Sequence, residues 1–235
     1  MERPPPGFTR VLTIAGIVLW APPLQFLAIA QERSSRTEEI EWTWETRPAV
    51  ADSKLPNVLL LGDTITRNYY PEVQKELSGI ANVYLMATSA CVGDPRLLSQ
   101  LAEFSTAAPV TFSVVHFNNG LHGWMYSEAE YREAFPSFLT ELHAIAPNAS
   151  LVWATTTPVE RNVEPGPSNA RIDARNDIAR TLIKSNGIAV DDQHELMEHQ
   201  PGLYLDHVHF NEQGSGIQGK QAAQVIRALL FRSSR

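Results

Sequence analysis

The chain has 235 residues, with 19 lysines and arginines against 26 aspartates and glutamates, so its formal net charge is −7. Hydrophobic residues make up 43% of it, which excludes the composition of a disordered or fibrous chain. The acidic balance and the lack of a dense basic run argue against a nucleic-acid partner. Cys91 is the single cysteine, so an intramolecular disulfide, a thiolate zinc cluster and a CxxC redox pair are excluded.

The first thirty residues have the layout of a secretory signal peptide. Two arginines precede an apolar run, and Ala28-Ile29-Ala30 forms an A-x-A cleavage site. The alternative is a membrane anchor, because the run approaches the ~20 residues that span a bilayer. Pro22 and Pro23 would interrupt such a helix. We therefore expect residues 1–30 to be removed, leaving a secreted or periplasmic protein without stable membrane insertion.

Residues 31–54 are charged and unpatterned apart from Trp42 and Trp44. We expect a tether whose two tryptophans pack on the surface of the following domain, with stacking on a sugar as the alternative. The domain itself is expected to occupy residues 55–235.

Downstream of residue 54, short apolar runs alternate with helical patterns. Helices are expected after Asp94-Pro95, after a capping box formed by Ser127 and Glu130, and at 172–185 and about 219–231. Strands are expected at 57–61, 83–86, 112–117, 151–154 and 188–190. This alternation predicts a three-layer α/β/α sandwich around a parallel sheet. Ligand sites in such sheets lie at the carboxyl ends of the strands, so the residues that follow each strand are the functional candidates.

The turn Gly62-Asp63-Thr64 directly follows the first buried strand. A sharp, glycine-bearing turn from strand to helix can present a hydroxyl to a base and to nearby amides. The alternative is an ordinary turn in which Asp63 or Thr64 caps the next helix.

Amide and imidazole side chains follow the strand at 112–117, at Asn118, Asn119 and His122. Such groups can bind an oxyanion or the hydroxyls of a substrate. Asparagines before a glycine also make plain turns, and that alternative stays open for this segment.

Near the end of the chain, Asp206 precedes His209 by three residues. The carboxylate can hold the Nδ1 proton of the imidazole and leave Nε2 as a general base toward a hydroxyl elsewhere. Two alternatives compete with this interpretation. His207 and His209 could ligate a metal, or Asp206 could merely cap a turn.

The order and spacing of these segments resemble the SGNH (GDSL) hydrolases, a family of esterases, lipases and polysaccharide deacetylases, over about residues 55–232. The resemblance implies a flavodoxin-like sheet and a catalytic triad with an oxyanion hole. Thr64 takes the position of the family's nucleophile, and Asp206 and His209 match its final DxxH. The family's motif consists of four sequence blocks, and Gly62-Asp63-Thr64 matches the first. Gly93, in Val92-Gly93-Asp94, matches the glycine of the second block, which supplies an oxyanion donor. Residues 117–123 match the third block.

Two residues depart from the family's pattern. Thr64 stands where the family has serine, and its extra methyl restricts χ1 and crowds the approach to a carbonyl carbon. His122 stands where the third block, GxND, has its oxyanion asparagine. A neutral imidazole N–H can donate in that role; Asn119 is the second candidate, and Asn118 also stays open as a donor. We expect Asp63 and Asn118 to contact substrate.

Two further features have simpler alternatives. Cys91 could be a nucleophile paired with His209, but a small buried thiol is the simpler interpretation. The loop at 159–169 follows a strand at the functional edge and could contact substrate, with a solvated loop as the default.

We therefore expect an SGNH-type hydrolase that needs neither metal nor cofactor and acts through Thr64, His209 and Asp206. The expected substrate is a small acyl ester, with acetyl groups on an extracellular polysaccharide as one candidate. The alternative is a catalytically silent member that binds a carbohydrate or acyl ligand. A third hypothesis is metal-dependent hydrolysis through His122, His207 and His209.

Overall fold

The computed structural model describes residues 1–2, 34–107 and 109–232. The expected signal peptide therefore lies outside the described residues, apart from its first two positions. Every described helix and strand belongs to one unit, Arg33–Arg235. Within the described part of the chain, no helix is both long enough and apolar enough to span a membrane.

The described residues of the unit form six strands and six α-helices, together with a short 3₁₀ turn at Pro201–Leu203. The strands are β1 (Thr43–Thr46), β2 (Asn57–Gly62), β3 (Asn82–Thr88), β4 (Phe112–Phe117), β5 (Ser150–Ala154) and β6 (Ala189–Asp191). The helices are α1 (Thr64–Glu76), α2 (Arg96–Ala107), α3 (Glu128–Ile145), α4 (Asn169–Ser185), α5 (Gln193–Glu198) and α6 (Glu212–Arg232).

The strands form one sheet in the order β1-β3-β2-β4-β5-β6. Strands β2 to β6 are parallel, and their order is the flavodoxin-like one. Because β2 lies between β3 and β4, the segments that follow these three strands meet at the carboxyl edge of the sheet. This edge carries the turn at Gly62-Asp63-Thr64, the segment with Gly93 and the segment with Asn118, Asn119 and His122.

The core has two halves, one on each face of the sheet. In β2, Leu59 and Leu61 join the cluster that includes helices α2, α3 and α4, whereas Val58 and Leu60 join the cluster that includes α1 and α6. Side chains alternate between the faces of a strand, so a continuous apolar run is what a strand covered on both sides requires. The expected three-layer sandwich is confirmed.

The region expected to be a tether contains a strand. Residues Thr43–Thr46 form β1, which pairs antiparallel with β3, placing Trp44 opposite Ala87. Trp42 packs partly buried against the core, whereas Trp44 is exposed. The strand escaped prediction because three of its four residues are exposed, so it lacks an apolar pattern.

The last helix begins at Glu212, about two turns before the start expected from the sequence. Gly214, Gly216 and Gly219 disfavour a helix by intrinsic propensity. Packing explains Gly219, since a Cβ there would lie 2.9 Å from the carbonyl oxygen of Tyr69 on α1. Tertiary contact between α1 and α6 therefore overrides the low propensity of this stretch.

Candidate active site

The turn that leads from β2 into α1 presents Thr64 as the first residue of the helix. Asp63 is extended, with φ −119° and ψ −154°, and its side chain accepts the N–H of Ile65 at 2.9 Å. A Cβ at Gly62 would lie 2.8 Å from Cβ of Thr66, so only glycine fits this turn. Asp63 is 4% exposed and acts as a helix cap, while its contact with substrate stays a prediction.

Thr64, His209 and Asp206 form a continuous chain of hydrogen bonds. The Thr64 Oγ1 lies 2.8 Å from His209 Nε2, and His209 Nδ1 lies 2.9 Å from Asp206 Oδ2. The second carboxylate oxygen, Oδ1, accepts the backbone N–H groups of Val208 and His209, each at 2.7 Å. Asp206 thus caps its own turn and is also hydrogen-bonded to the His209 ring, while its catalytic role stays a prediction.

The electrostatics of Asp206 keep its carboxyl group ionised. Partial desolvation works against ionisation, but the hydrogen bonds from the backbone of His209 and Val208 and from the His209 ring lower the pKa of Asp206 to about 2. An ionised carboxylate accepts a hydrogen bond from Nδ1–H of His209. The unprotonated Nε2 of the ring is then the acceptor that faces the Thr64 hydroxyl.

The second block is held in place by Asn119. Its Oδ1 accepts the N–H of Val92 at 2.8 Å, and its Nδ2 donates to the carbonyl of Ala90 at 2.9 Å. Asn119 therefore braces the segment that carries Gly93, and it is itself 8% exposed. A Cβ at Gly93 would lie 2.7 Å from the Tyr126 ring, which explains the glycine there.

Cys91 lies within this segment, between Ala90 and Val92, and is 3% exposed. Burial is the main cause that raises its pKa to about 11, so the sulfur is a protonated thiol rather than a nucleophilic thiolate. The geometry favours the interpretation of Cys91 as a small buried side chain.

Asn118 ties two strand ends together, while its expected contact with substrate stays a prediction. Its Nδ2 donates to the carbonyl of Ala154 at 2.7 Å and to Thr156 Oγ1 at 2.9 Å. Both N–H groups of the amide are thereby used in tying the end of β4 to the end of β5.

His122 lies between two tryptophans and is held by a glutamate. Its ring stacks on Trp124 and meets the edge of Trp42, with ring centroids 5.8 Å apart in each pair. The Nδ1 atom lies 2.8 Å from Glu38 Oε2. Burial opposes the charged form of the ring, but the Glu38 hydrogen bond and the nearby charge of Asp63 outweigh it and raise the pKa of His122.

The backbone of the third block rests on a buried arginine that the sequence analysis did not single out. The Arg175 guanidinium donates to the carbonyls of Gly120, His122, Gly123 and Tyr126. Arg175 is 3% exposed, and burial lowers its pKa. An arginine among the apolar positions of α4 was the available signal, because a buried guanidinium must find several acceptors.

His207, two residues before His209, contacts the Arg161 guanidinium. His207 Nδ1 accepts from Arg161 Nη2 at 2.9 Å, and the carbonyl of His207 accepts the N–H of Glu160 at 2.9 Å. The loop at 159–169 thus packs on the loop that carries Asp206 and His209. Within the described residues, no group of three or more His, Cys, Asp or Glu side chains is arranged to hold a metal ion.

Comparison with known proteins identifies the family and the fold. A model of the GDSL-like lipase/acylhydrolase family matches residues 60–217. A crystal structure of a GDSL-like lipase from Bacteroides thetaiotaomicron has a TM-score of 0.59 at 16% identity, covering 75% of this chain and 90% of that chain. Among curated proteins, none matches the chain.

Two esterase structures share the fold. A carbohydrate esterase family 3 protein from Talaromyces cellulolyticus has a TM-score of 0.59 at 14% identity, covering 76% of this chain and 99% of that chain. An acetyl esterase, solved as a serine-to-alanine mutant with an acetate ion, has a TM-score of 0.60 at 14% identity, covering 76% of this chain and 100% of that chain.

Proposed function

Because the chain belongs to the GDSL-like lipase/acylhydrolase family, we propose that it hydrolyses carboxylic esters through a covalent intermediate on Thr64. Ester hydrolysis is the reaction class that the family supports in general. The observation that carries the finer proposal is the unbroken hydrogen-bond chain, 2.8 Å from Thr64 to His209 and 2.9 Å from His209 to Asp206. These are the distances that a nucleophile, its base and an orienting acid need.

The reaction has two steps. His209 Nε2 takes the hydroxyl proton as Thr64 Oγ1 bonds to the ester carbonyl carbon, and Asp206 stabilises the resulting imidazolium. The tetrahedral intermediate collapses, the C–O bond to the alcohol breaks, and His209 returns the proton to the leaving oxygen. Water, deprotonated by His209, then attacks the acyl-threonine and releases the acid, with Thr64 recovering its proton.

The oxyanion is assigned to donors at the carboxyl edge of the sheet. Thr64 is the first residue of α1, where backbone N–H groups have no partner within the helix. In the second block the donor is a backbone amide at Gly93, and in the third block it is the His122 side chain. His122 is preferred to Asn119 because Asn119 already binds Val92 and Ala90 through its amide.

The proposed substrate is a small acyl ester outside the cytoplasm, with acetyl groups on a polysaccharide as the leading candidate. The acetyl esterase and the carbohydrate esterase of the same fold support this choice, and the leader-like residues 1–30 support export. Fold alone does not carry specificity, so the substrate has to be tested directly.

The test is turnover of p-nitrophenyl acetate and butyrate by the purified protein, its Thr64→Val variant and its His209→Ala variant. We expect the parent to turn over both esters, and either variant to lose roughly 10²–10⁴-fold in kcat, the range of general-base and nucleophile contributions. Retention of the parent rate in either variant would contradict the proposal.

A second candidate function is ligand binding without turnover, favoured by the threonine at the nucleophile position. It predicts an inert parent and an active Thr64→Ser variant, because the base, the orienting acid and the oxyanion donors would all be intact. An active parent removes this candidate.

A further inference from the structure

Glu38 reaches the third block from the segment that precedes β1. Its Oε2 lies 2.8 Å from His122 Nδ1, and its Oε1 accepts the backbone N–H of Gly123 at 2.6 Å. The Glu38 side chain is 5% exposed and that of His122 is 14% exposed. The two carboxylate oxygens of Glu38 therefore bind the His122 ring and the backbone amide of the next residue, Gly123.

We propose that Glu38 is a positioning residue for the ester hydrolysis proposed above, holding His122 as an imidazolium whose Nε2–H donates to the oxyanion. This inference rests on the proposed function and goes beyond it, because it assigns a role to a residue of the segment before the sheet and changes the charge of the oxyanion donor.

The hydrogen bond to Glu38 decides which form of the His122 ring can donate from Nε2. A neutral imidazole that donates a hydrogen bond from Nδ1–H to Glu38 has only an acceptor at Nε2, and an acceptor repels an oxyanion. In the imidazolium both nitrogen atoms donate, and a charged donor makes a stronger hydrogen bond than a neutral amide does. Among the described residues, Nε2 of His122 has no hydrogen-bond partner, so it is free for a ligand.

The charged groups around His122 favour the imidazolium. Three carboxylates surround it, from Glu38 and Glu41 ahead of β1 and from Asp63 ahead of α1. One cation approaches from α4, where Arg175 Nη1 donates to the carbonyl oxygen of His122 at 2.6 Å. The carboxylates raise the pKa of His122 against its burial, so the charged form is present below that raised pKa and is lost as the pH rises through it.

The segment that carries Glu38 is fixed on both sides of it. Before it, the backbone N–H of Arg36 donates to the Tyr126 hydroxyl at 2.7 Å, and the Arg36 guanidinium lies 4.0 Å from the centre of that ring. After it, Glu41 accepts from the Ser89 hydroxyl at 2.7 Å. Because the segment around it is anchored, Glu38 is already in place to hold the imidazole. Its side chain therefore does not have to be ordered again in each catalytic cycle.

The test compares Glu38→Gln with Glu39→Gln, which removes the same charge from an exposed neighbour. The pH dependence of kcat and KM is measured with p-nitrophenyl acetate, and the His122 ring is titrated by NMR. His122→Asn identifies the His122 signal among those of the seven histidines.

We expect Glu38→Gln to lower kcat by about tenfold or more with KM little changed, since a whole oxyanion donor is worth roughly 10²–10³ in kcat. The alkaline limb of its rate profile and the His122 titration should both move to lower pH. Glu39→Gln should match the parent. Glu38→Asp keeps the charge, so it should titrate like the parent even if its kcat falls.

A His122 titration that is the same in Glu38→Gln and in the parent would overturn the proposal, whether or not esters are hydrolysed. The proposed function fails separately, through an inert parent. An inert parent whose His122 titration still shifts in Glu38→Gln would overturn the catalytic role of Glu38. Glu38 and His122 would then be a coupled pair in a ligand site.

Discussion

The Thr64 hydroxyl and the His209 ring lie 2.8 Å apart, although 145 residues separate them in the chain. The contact forms because α1 begins at the carboxyl edge of the sheet and the loop before α6 returns to that edge. Thr64 is partly exposed, so its hydroxyl is accessible while it is hydrogen-bonded to His209, the base of the proposed mechanism.

Thr64→Ser should raise kcat, because serine keeps the hydroxyl and removes the methyl that crowds the carbonyl carbon. The gain is expected to be about tenfold, within the ~100-fold that a misplacement of about 1 Å can cost. Thr43→Ser, an exposed position on β1, is the matched control and should leave the rate unchanged. A slower Thr64→Ser enzyme would mean that the site is built for threonine.

Asp206→Asn should lower kcat by about 10³–10⁴-fold while the fold is kept, because an amide that donates to Nδ1 stabilises the wrong tautomer of His209. Asp177→Asn makes the same change on the exposed face of α4 and should have the parent rate. Steady-state turnover of p-nitrophenyl acetate measures both. A loss below tenfold in Asp206→Asn would contradict the orienting role.

The Asp206 carboxylate should also contribute to acid stability. Its folded pKa of about 2 lies below the usual value, so its contribution is present above about pH 4 and is lost as the pH falls toward 2. The free energy of unfolding in urea, followed from pH 6 to pH 2, should therefore decline less steeply in Asp206→Asn than in Asp177→Asn. Equal slopes would refute this assignment.

Gly62→Ala should destabilise the fold by about 1–3 kcal/mol, since the new methyl meets Cβ of Thr66 and must displace the start of α1. It should also lower kcat, because Thr64 moves with the helix. Gly216→Ala is the control: nothing lies within 4 Å of its Cβ, and alanine favours a helix. Urea unfolding measures both, and equal stabilities would contradict the crowding at Gly62.

Arg175→Met should cost at least about 2 kcal/mol of stability, because each buried carbonyl left without a donor costs ~1–3 kcal/mol. The same variant should lose activity, since Arg175 holds the backbone of His122. Arg180→Met, which breaks an exposed ion pair with Asp192, should cost no more than about 1 kcal/mol. Similar losses in the two variants would contradict the account of the third block.

The sequence predicted the parallel sheet and the places of Thr64, Asp206 and His209, because their signals are local. A buried strand shows as an apolar run, and a turn or a DxxH spacing is read within a few residues. Helix α3 was likewise predicted from Ser127 and Glu130, which form the expected capping box. The structure adds that the Thr64 hydroxyl and the Asp206 carboxylate each lie within hydrogen-bond distance of the His209 ring.

The side chains that hold the candidate site in place were not predictable from local sequence in the same way. Glu38 meets His122 across 84 residues from a segment without apolar periodicity, so only the folded sheet brings them together. Asn118 and Asn119 looked like ligands for a substrate, but their amides bind backbone or side-chain atoms of neighbouring segments. The polar residue type alone does not show whether a side chain binds substrate or holds a neighbouring segment in place.

The most direct test of the account is to locate the covalent adduct left by an aryl fluorophosphonate, by intact mass and peptide mapping. The account predicts one adduct, on Thr64, formed by the parent and by Thr64→Ser and missing from Thr64→Val and His209→Ala. Ester turnover with the adduct on another residue, or turnover that survives in Thr64→Val, would contradict the claim that Thr64 is the nucleophile.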